Sequence, residues 1–480
     1  MTPSPAIFWL TRDFRFSDNA ALAAAARGPV LPVFFIDRLL MAQGAASRWR
    51  LQRALRSFDA ELRRRSGQGV VVLRGEPDAV LPGLAAATRA CEVHQSDWPA
   101  PRMRALQDRV SHALQAGGAR LVLHPGHLLI HPRLIRTGAG TSYRVYTPFA
   151  RALRGIGPDR PGAAAPDRIT QAPSRPEGLA PEALDLAPDL YGGRAVLDRH
   201  ALPAGEAAAL ARLDDFLDRA PAYEAGRDRT DQDATSGLSE HLALGEISPR
   251  SLWALAEARR GQAPEASGGI EKFLSELIWR EFAWHLLIDF PQMAERPWRA
   301  EWRDFPWQGD SDQASRWRQA RTGIALVDAG LREMRVTGRM HNRVRMVVAS
   351  WLTKHLLTDW RLGLAHFQDS LTDWDPAANA MNWQWVAGCG PDASPFFRIF
   401  NPATQAERYD PAGRYRRRWL ETEAGDYRAT LPPDWLRDWP RDWPRDWPRD
   451  PSLGWQPDPD PPLATGRQRA LDAYAAFRAS

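Results

Sequence analysis

The sequence predicts an α/β amino-terminal domain built on a doubly wound parallel sheet, joined to an all-α carboxyl-terminal domain. Three observations carry this. Within the first 130 residues, the apolar runs AIFWL (6–10), VLPVFFI (30–36), VVVL (70–73), CEVHQ (91–95) and RLVLH (120–124) alternate with segments of helical spacing, and strands alternating with helices build parallel sheets. Residues 131–200 lose periodicity and are rich in Pro, Gly, Ala and Arg. From Gly205 onward the apolar positions repeat at the helical period.

Each element follows from its own pattern. Helical spacing covers 18–27, 47–65, 77–89 and 101–116; in the second of these Trp49, Leu51, Leu55, Phe58 and Leu62 form one stripe. No GxGxxG follows the first strand, which excludes an ordinary dinucleotide site there. Thr11-Arg12-Asp13-Phe14-Arg15 stands instead at that strand's carboxyl end, where α/β sheets present ligands. The stretch 131–200 reads as a long connection with one short helix near 147–155. Helices are expected at 205–219, 248–260, 269–289, 313–321, 324–335, 338–357 and 361–370. The division is therefore 1–130, an α/β domain; 131–200, a linker; 201–425, an all-helical domain; and 426–480, a tail. That tail carries RDWP units at 441–444 and 445–448. A proline every four residues rules out a helix interior, so an exposed extended tail is expected.

Composition narrows the class. The 480 residues, 44% hydrophobic and 25% charged, describe a globular protein. No apolar run approaches the roughly 20 residues of a membrane span. The two cysteines, Cys91 and Cys389, are too few for a disulfide framework or a zinc site, and no metal is expected. A reduced, cytoplasmic protein without a secretory signal is the reading. The net charge of +5 permits an anionic partner. Its weight is small, because Lys272 and Lys354 are the only lysines among 63 basic residues, a pattern that composition bias also produces.

The chemically densest stretch is 371–402, LTDWDPAANAMNWQWVAGCGPDASPFFRIFNP. Trp374, Trp383 and Trp385 stand beside Asp373 and Asp375, with Asn379 and Asn382 between them; Gly388, Gly390 and Pro391 then break the backbone before Phe396-Phe397-Arg398. Aromatic faces, amides and acids in one segment suit a wall around a flat cofactor; a Trp-rich buried helix with an Asn cap is the plainer alternative. Thr235-Ser236-Gly237-Leu238-Ser239 is a small hydroxyl-rich loop opening a helix, fit for a phosphate or simply an N-cap. On 269–289, Phe273, Leu274, Leu277, Ile278 and Phe282 form an inward stripe, while Glu276, Trp279, Arg280 and Ala283 share another face.

Five segments in register, WLTRDFRFSDNAAL (9–22), TSGLSEHLALGEISPR (235–250), ELIWREF (276–282), TGRMHNRVRM (337–346) and NWQWVAGCGPDASPFFRIFNP (382–402), closely resemble the photolyase/cryptochrome family, in its class I cyclobutane pyrimidine dimer photolyase branch. The resemblance implies that the all-α domain binds FAD non-covalently and uses it fully reduced. Tyr223, Arg227 and the loop Thr235–Ser239 match the segments that hold the pyrophosphate. Asp373, Trp374 and Asp375 match the ribityl and adenosine contacts, with Trp374 replacing the family's Gly. Arg345 matches the partner of the residue at Asp373, and Asn379 the residue facing flavin N5. Trp307, Trp360 and Trp383 match a chain of tryptophans that carries electrons to the excited oxidised flavin.

The same resemblance implies light-dependent repair of ultraviolet-damaged DNA, bound by structure rather than sequence. Glu276 then bonds the lesion's pyrimidine ring, Trp279 and Trp385 stack on its bases, and Asn342, Arg343 and Met346 line the pocket. Arg227, Arg280, Arg343, Arg398 and Gln405 are the expected DNA contacts, and a monomer, nucleoid-associated when on DNA, is expected. The MHN pattern fits cyclobutane-dimer repair, not the paired-His pattern of (6-4) enzymes. Folate-antenna relatives carry a Glu in the segment matching 97–104 and a Lys near the start of 292–296; DWPAPRMR and QMAER lack both, so the antenna is a deazaflavin or absent. The rival expectation is a cryptochrome-like light receptor without repair.

Overall fold

The computed structural model describes residues 4–162, 164–190, 193–392, 396, 398–437 and 461–479. They form two compact units, one of Met1–Ala187, Pro203–Glu224 and Ser236–Pro291, the other of Pro188–Leu202, Ala225–Thr235 and Gln292–Ser480. This division cuts the chain differently from composition, because the helices between 203 and 291 pack with the sheet's unit.

The first unit contains β1 (Ala6–Leu10), β2 (Val30–Ile36), β3 (Val71–Arg74), β4 (Glu92–Ser96) and β5 (Arg120–His124), in parallel order β3-β2-β1-β4-β5. The chain winds outward to β3 and then returns beside β1, the doubly wound arrangement with its switch between β1 and β4. Every residue of β1 and β2 is buried, as in a sheet covered on both faces. The Ala45–Ser66 helix turns Leu51, Leu55, Phe58 and Leu62 onto it. At the end of β1, Asp13 accepts from Ser96 Oγ at 2.7 Å, and Arg15 donates to the carbonyls of Asp18, Gly126 and Gly245. The motif expected to present a ligand here is a buried bracket between loops.

The segment read as a linker is more ordered than its composition indicates. Besides the Tyr146–Ile156 helix, Gln171 bridges to Val30 and Leu179 to Val72, and Leu184 and Leu186 join the sheet's core. Gln52 Nε2, donating to Leu184 O at 2.6 Å, binds this stretch down. Apolar residues spaced among prolines carry no periodic signal, which is why composition hid it. A second core in this unit joins Phe216, Leu252, Ile270, Phe273 and Leu277 from the Glu206–Arg219, Pro249–Gln262 and Ser267–Asp289 helices.

The second unit is helical. The helix expected over 338–357 begins four residues later, at Asn342. Gly338, at φ +70, ends Ala325–Thr337, and His341 caps a new helix, Asn342–Ser350, which passes into a π turn at Trp351–His355. The carboxyl-terminal segment read as a tail includes the helix Leu463–Ala479. Its Ala470 is buried, and Tyr474 stacks on Phe396 with centroids 4.8 Å apart. The RDWP units lie outside the described residues. No helix among the described residues is long and apolar enough to cross a membrane.

Candidate functional site

In the second unit the Pro376–Ala387 helix carries the densest set of candidates. Asp375 Oδ1 accepts from the N–H groups of Ala377 (3.0 Å) and Ala378 (2.8 Å) and so starts the helix; Gly388, at φ +90, ends it. Asn379, Trp383 and Gln384 are buried and Asn382 is exposed. Asn379 Nδ2 donates to Asp375 O at 3.0 Å. With one amide hydrogen used inside the helix, Asn379 keeps its carbonyl oxygen, an acceptor, and a second N–H to offer a ligand. Arg345 holds buried Asp373 by two bonds, at 2.8 and 3.1 Å, and donates through Nε to Met340 O at 2.8 Å. Trp374 packs against the core, and its Nε1 is buried without a hydrogen-bond partner among the described residues, a donor that a bound acceptor would satisfy.

Trp383 meets Phe367 edge-on at 4.9 Å and Trp317 at 6.3 Å. It lies close against the Trp360–Ser370 helix, because a Cβ on Gly363 would stand 2.1 Å from its ring. Trp360, at 0% exposure, opens that helix. The bridge between Gln308 and Thr358, with Asp359 N donating to Gln308 O at 2.9 Å, brings the Trp307 strand segment alongside. Trp383 and Trp360 are buried and Trp307 is half-buried, a gradient from interior toward surface.

The cationic candidates of this unit divide into committed and available groups. Arg343 pairs with Asp228 at 2.5 Å, lies over the Tyr409 ring at 4.7 Å, and has Met346 Sδ at 3.9 Å. Arg227 is 3.9 Å from the same Asp228. Asn342 is exposed and follows His341, whose ring burial pushes down to about 4; neutral, it accepts the Arg343 N–H at 3.2 Å. Arg398 is exposed and lies over the Trp385 ring at 5.7 Å. Gln405 Oε1 is buried without a partner among the described residues. Arg416 is buried against Asp410 at 2.9 Å. Thr235 is half-buried at the end of the 225–235 segment.

In the first unit, Tyr223 is buried edge-on to Phe216 at 5.0 Å. Ser236 O accepts from Arg212 Nε at 2.8 Å. Gly237 has φ +64, so the loop needs glycine for its conformation; a Cβ there would displace only the flexible end of Arg212. Leu238 is buried, and Ser239 opens the Ser239–Leu244 helix. On Ser267–Asp289, Glu276 faces Lys272 at 3.5 Å, and Trp279 is half-buried against Tyr146. Arg280 is committed internally: it donates to His127 O and Nε2, both at 2.9 Å. Burial holds His127 neutral, which fits Nε2 as acceptor. These bonds fix the guanidinium's orientation, and its remaining N–H groups are the ones a phosphate would meet.

Sequence reasoning passed over Gln384. Fully buried, it donates to Met293 O (2.6 Å) and Arg296 O (2.9 Å) and accepts from Trp298 N (2.6 Å), tying the helix to the 292–298 segment. The one signal available was an amide amid apolar neighbours in NWQWVA. Gly363 was missed too, as a lone glycine inside a helical pattern.

Residues 6–167 match the family profile described as DNA photolyase, and 273–440 that of the FAD binding domain of DNA photolyase. A deoxyribodipyrimidine photo-lyase of Agrobacterium fabrum is 41% identical over 424 residues, 87% of each chain. The crystal structure of a bacterial class III photolyase from Agrobacterium tumefaciens superposes with TM-score 0.86 and 37% identity, over 100% of this chain and 99% of the other. A cryptochrome structure from Synechocystis gives 0.78 and 28%, over 88% and 90%. Sequence, profile and fold agree, and the chain belongs to the DNA photolyase family.

Proposed function

We propose that this enzyme repairs cyclobutane pyrimidine dimers in DNA under light, with non-covalently bound, reduced FAD. Bound reduced FAD supplies the light-driven electron that opens the dimer and recovers it afterwards. The observation that carries this reading is Asn379, a buried neutral amide with its nitrogen bonded to Asp375 O. A carboxylate about 4 Å from an anionic flavin would cost roughly 4 kcal/mol at an effective dielectric near 20, about three pK units. The amide avoids that repulsion and leaves its oxygen to accept from an N–H.

The paired Asp373 and Arg345 and the unpartnered Trp374 Nε1 support FAD binding; Tyr223 and the Thr235–Ser239 loop are assigned FAD contacts. Trp383, Trp360 and Trp307 are assigned photoreduction. Glu276 is assigned the lesion's pyrimidine ring, Trp279 and Trp385 base stacking, and Asn342, Arg343 and Met346 the pocket lining. Arg398, Arg227 and Gln405 are assigned phosphate-side contacts, which position DNA without reading sequence. A dimer is poorly stacked, so its extrusion is cheaper than that of a normal pair. The protein acts as a monomer on DNA in the cytoplasm. Any antenna pigment is a deazaflavin, since DWPAPRMR and QMAER lack the folate ligands.

The test is repair of an ultraviolet-damaged oligothymidine by reduced holoprotein, in blue light and in darkness. Light-dependent loss of dimers, abolished or sharply reduced in Glu276→Ala with FAD retained, supports the reading. A flavin-bearing protein that photoreduces but leaves dimers intact refutes it and favours a receptor role, the alternative that the cryptochrome-like structure keeps in view.

A further inference from the structure

Trp279 does not stand alone on its helix. The Tyr146 ring, from the Tyr146–Ile156 helix, lies parallel to it with centroids 3.5 Å apart and planes 3° from parallel. Phe282 closes edge-on against both, 6.0 Å from Trp279 and 5.9 Å from Tyr146. The Tyr146 hydroxyl donates to Ser275 O at 3.1 Å. Helical side chains lean toward the amino terminus, over the preceding turn, so this bond anchors the tyrosine above the turn on which the Trp279 indole rests. Phe149 packs on Phe282 at 5.2 Å and is itself fully buried, so the tyrosine's helix is held from below. Tyr146 is half-buried, as is Trp279.

We propose that Tyr146 is a positioning residue for lesion capture: it backs one face of Trp279 and fixes the indole upright, so that the opposite face meets a base of the dimer. The inference rests on the assignment of Trp279 to base stacking. The physical reason is entropic. An indole on a half-exposed helix face rotates among rotamers, and a base that stacks on it must first freeze them. A parallel aromatic backing removes that freedom before DNA arrives. The hydroxyl adds little to the stack and serves to hold the ring in register.

The experiment compares holoprotein variants by titration with a dimer-containing and an undamaged oligonucleotide in darkness, followed by single-turnover repair at saturating DNA. Tyr146→Ala is expected to raise Kd for the damaged strand about three- to tenfold, the range set by one aromatic pair. Kd for the undamaged strand and repair per bound complex should stay unchanged. Tyr146→Phe, which keeps the stack, should restore binding to within about twofold. FAD absorbance of each variant reports that the fold survives, and Trp279→Ala serves as the reference. Weakened damaged-strand binding in Trp279→Ala with none in Tyr146→Ala overturns the positioning role alone. Loss in neither overturns the assignment of Trp279, and this inference with it. Equal weakening on both oligonucleotides, or failure of Tyr146→Phe to rescue, also overturns it, because the effect would then be structural.

Discussion

Gly363→Ala tests the packing on which the tryptophan path depends. The added Cβ would stand 2.1 Å from Trp383 Cη2, 2.4 Å from its Cζ3 and 2.7 Å from Leu352 Cδ2, against an ordinary carbon separation of about 3.5–4.0 Å. Trp383 has little room to retreat: it is 3% exposed, with Phe367 and Trp317 edge-on around it. Overpacking of this kind costs about 1–3 kcal/mol. The change also gains about 1 kcal/mol of helix propensity, so a net loss of up to about 2 kcal/mol is expected. The indole must shift by about 1 Å or more to reach contact distance, which alters its coupling to its neighbours. The informative assay separates two roles. Blue-light photoreduction of oxidised holoprotein should slow several-fold, while repair by chemically reduced protein stays near wild type. Thermal melting should fall by a few degrees. A Gly363→Ala protein that melts and photoreduces like wild type would refute both the tight packing and the role given to Trp383.

Three further predictions follow from particular groups. Asn379→Asp should lower the flavin's reduction potential by up to about 180 mV, the equivalent of three decades at 59 mV each, and impair repair; an unchanged potential in spectroelectrochemistry would remove the argument from Asn379. Asp328 is fully buried, and desolvation pushes its carboxyl up to about 6 despite donation from Thr322 and Gly323. Because the folded value lies above the ordinary 3.8, the folded state binds the proton more tightly, and stability falls as pH rises from about 4 to about 6. The difference in melting temperature between wild type and Asp328→Asn across that window should trace this loss, and a flat difference would contradict it. Asp373→Asn should lower FAD occupancy in purified protein by weakening the pair with Arg345 at 2.8 Å; full occupancy would deny that pair a role in holding the cofactor.

The fold class and the chemistry of the 371–402 segment were legible in the linear order of residues. Continuous apolar runs mark the central strands β1 and β2, buried on both faces, while the similar run at β5 lies on the sheet's edge with no buried residue. Gly388 reads as a break and ends one helix, since left-handed backbone is a property of a few adjacent residues; that helix's start at Asp375-Pro376 is not among the expected elements. Family motifs pointed to Asn379, Asp373 and Arg345 for the same reason: short segments keep their spacing. The break between the helices expected at 324–335 and 338–357 was legible as well, and Gly338 places it.

What tertiary structure decided lies where a partner is distant in sequence. Arg280 and Arg398 are alike as letters, yet the first is half-buried and anchored on His127, 153 residues away, and the second is exposed. Arg416 stands in the basic run RYRRR and is nonetheless buried on Asp410. Gly363 shows its purpose only when the Trp383 ring is seen against it, and Leu463–Ala479 matters only because Ala470 and Tyr474 find the core around Trp302. Tyr146 stands 133 residues from Trp279 in numbering and 3.5 Å from it in space. Local sequence determines backbone preference and the chemistry on offer. Which side chains are used up internally, and which remain for a ligand, depends on long-range burial and pairing that no window of sequence contains.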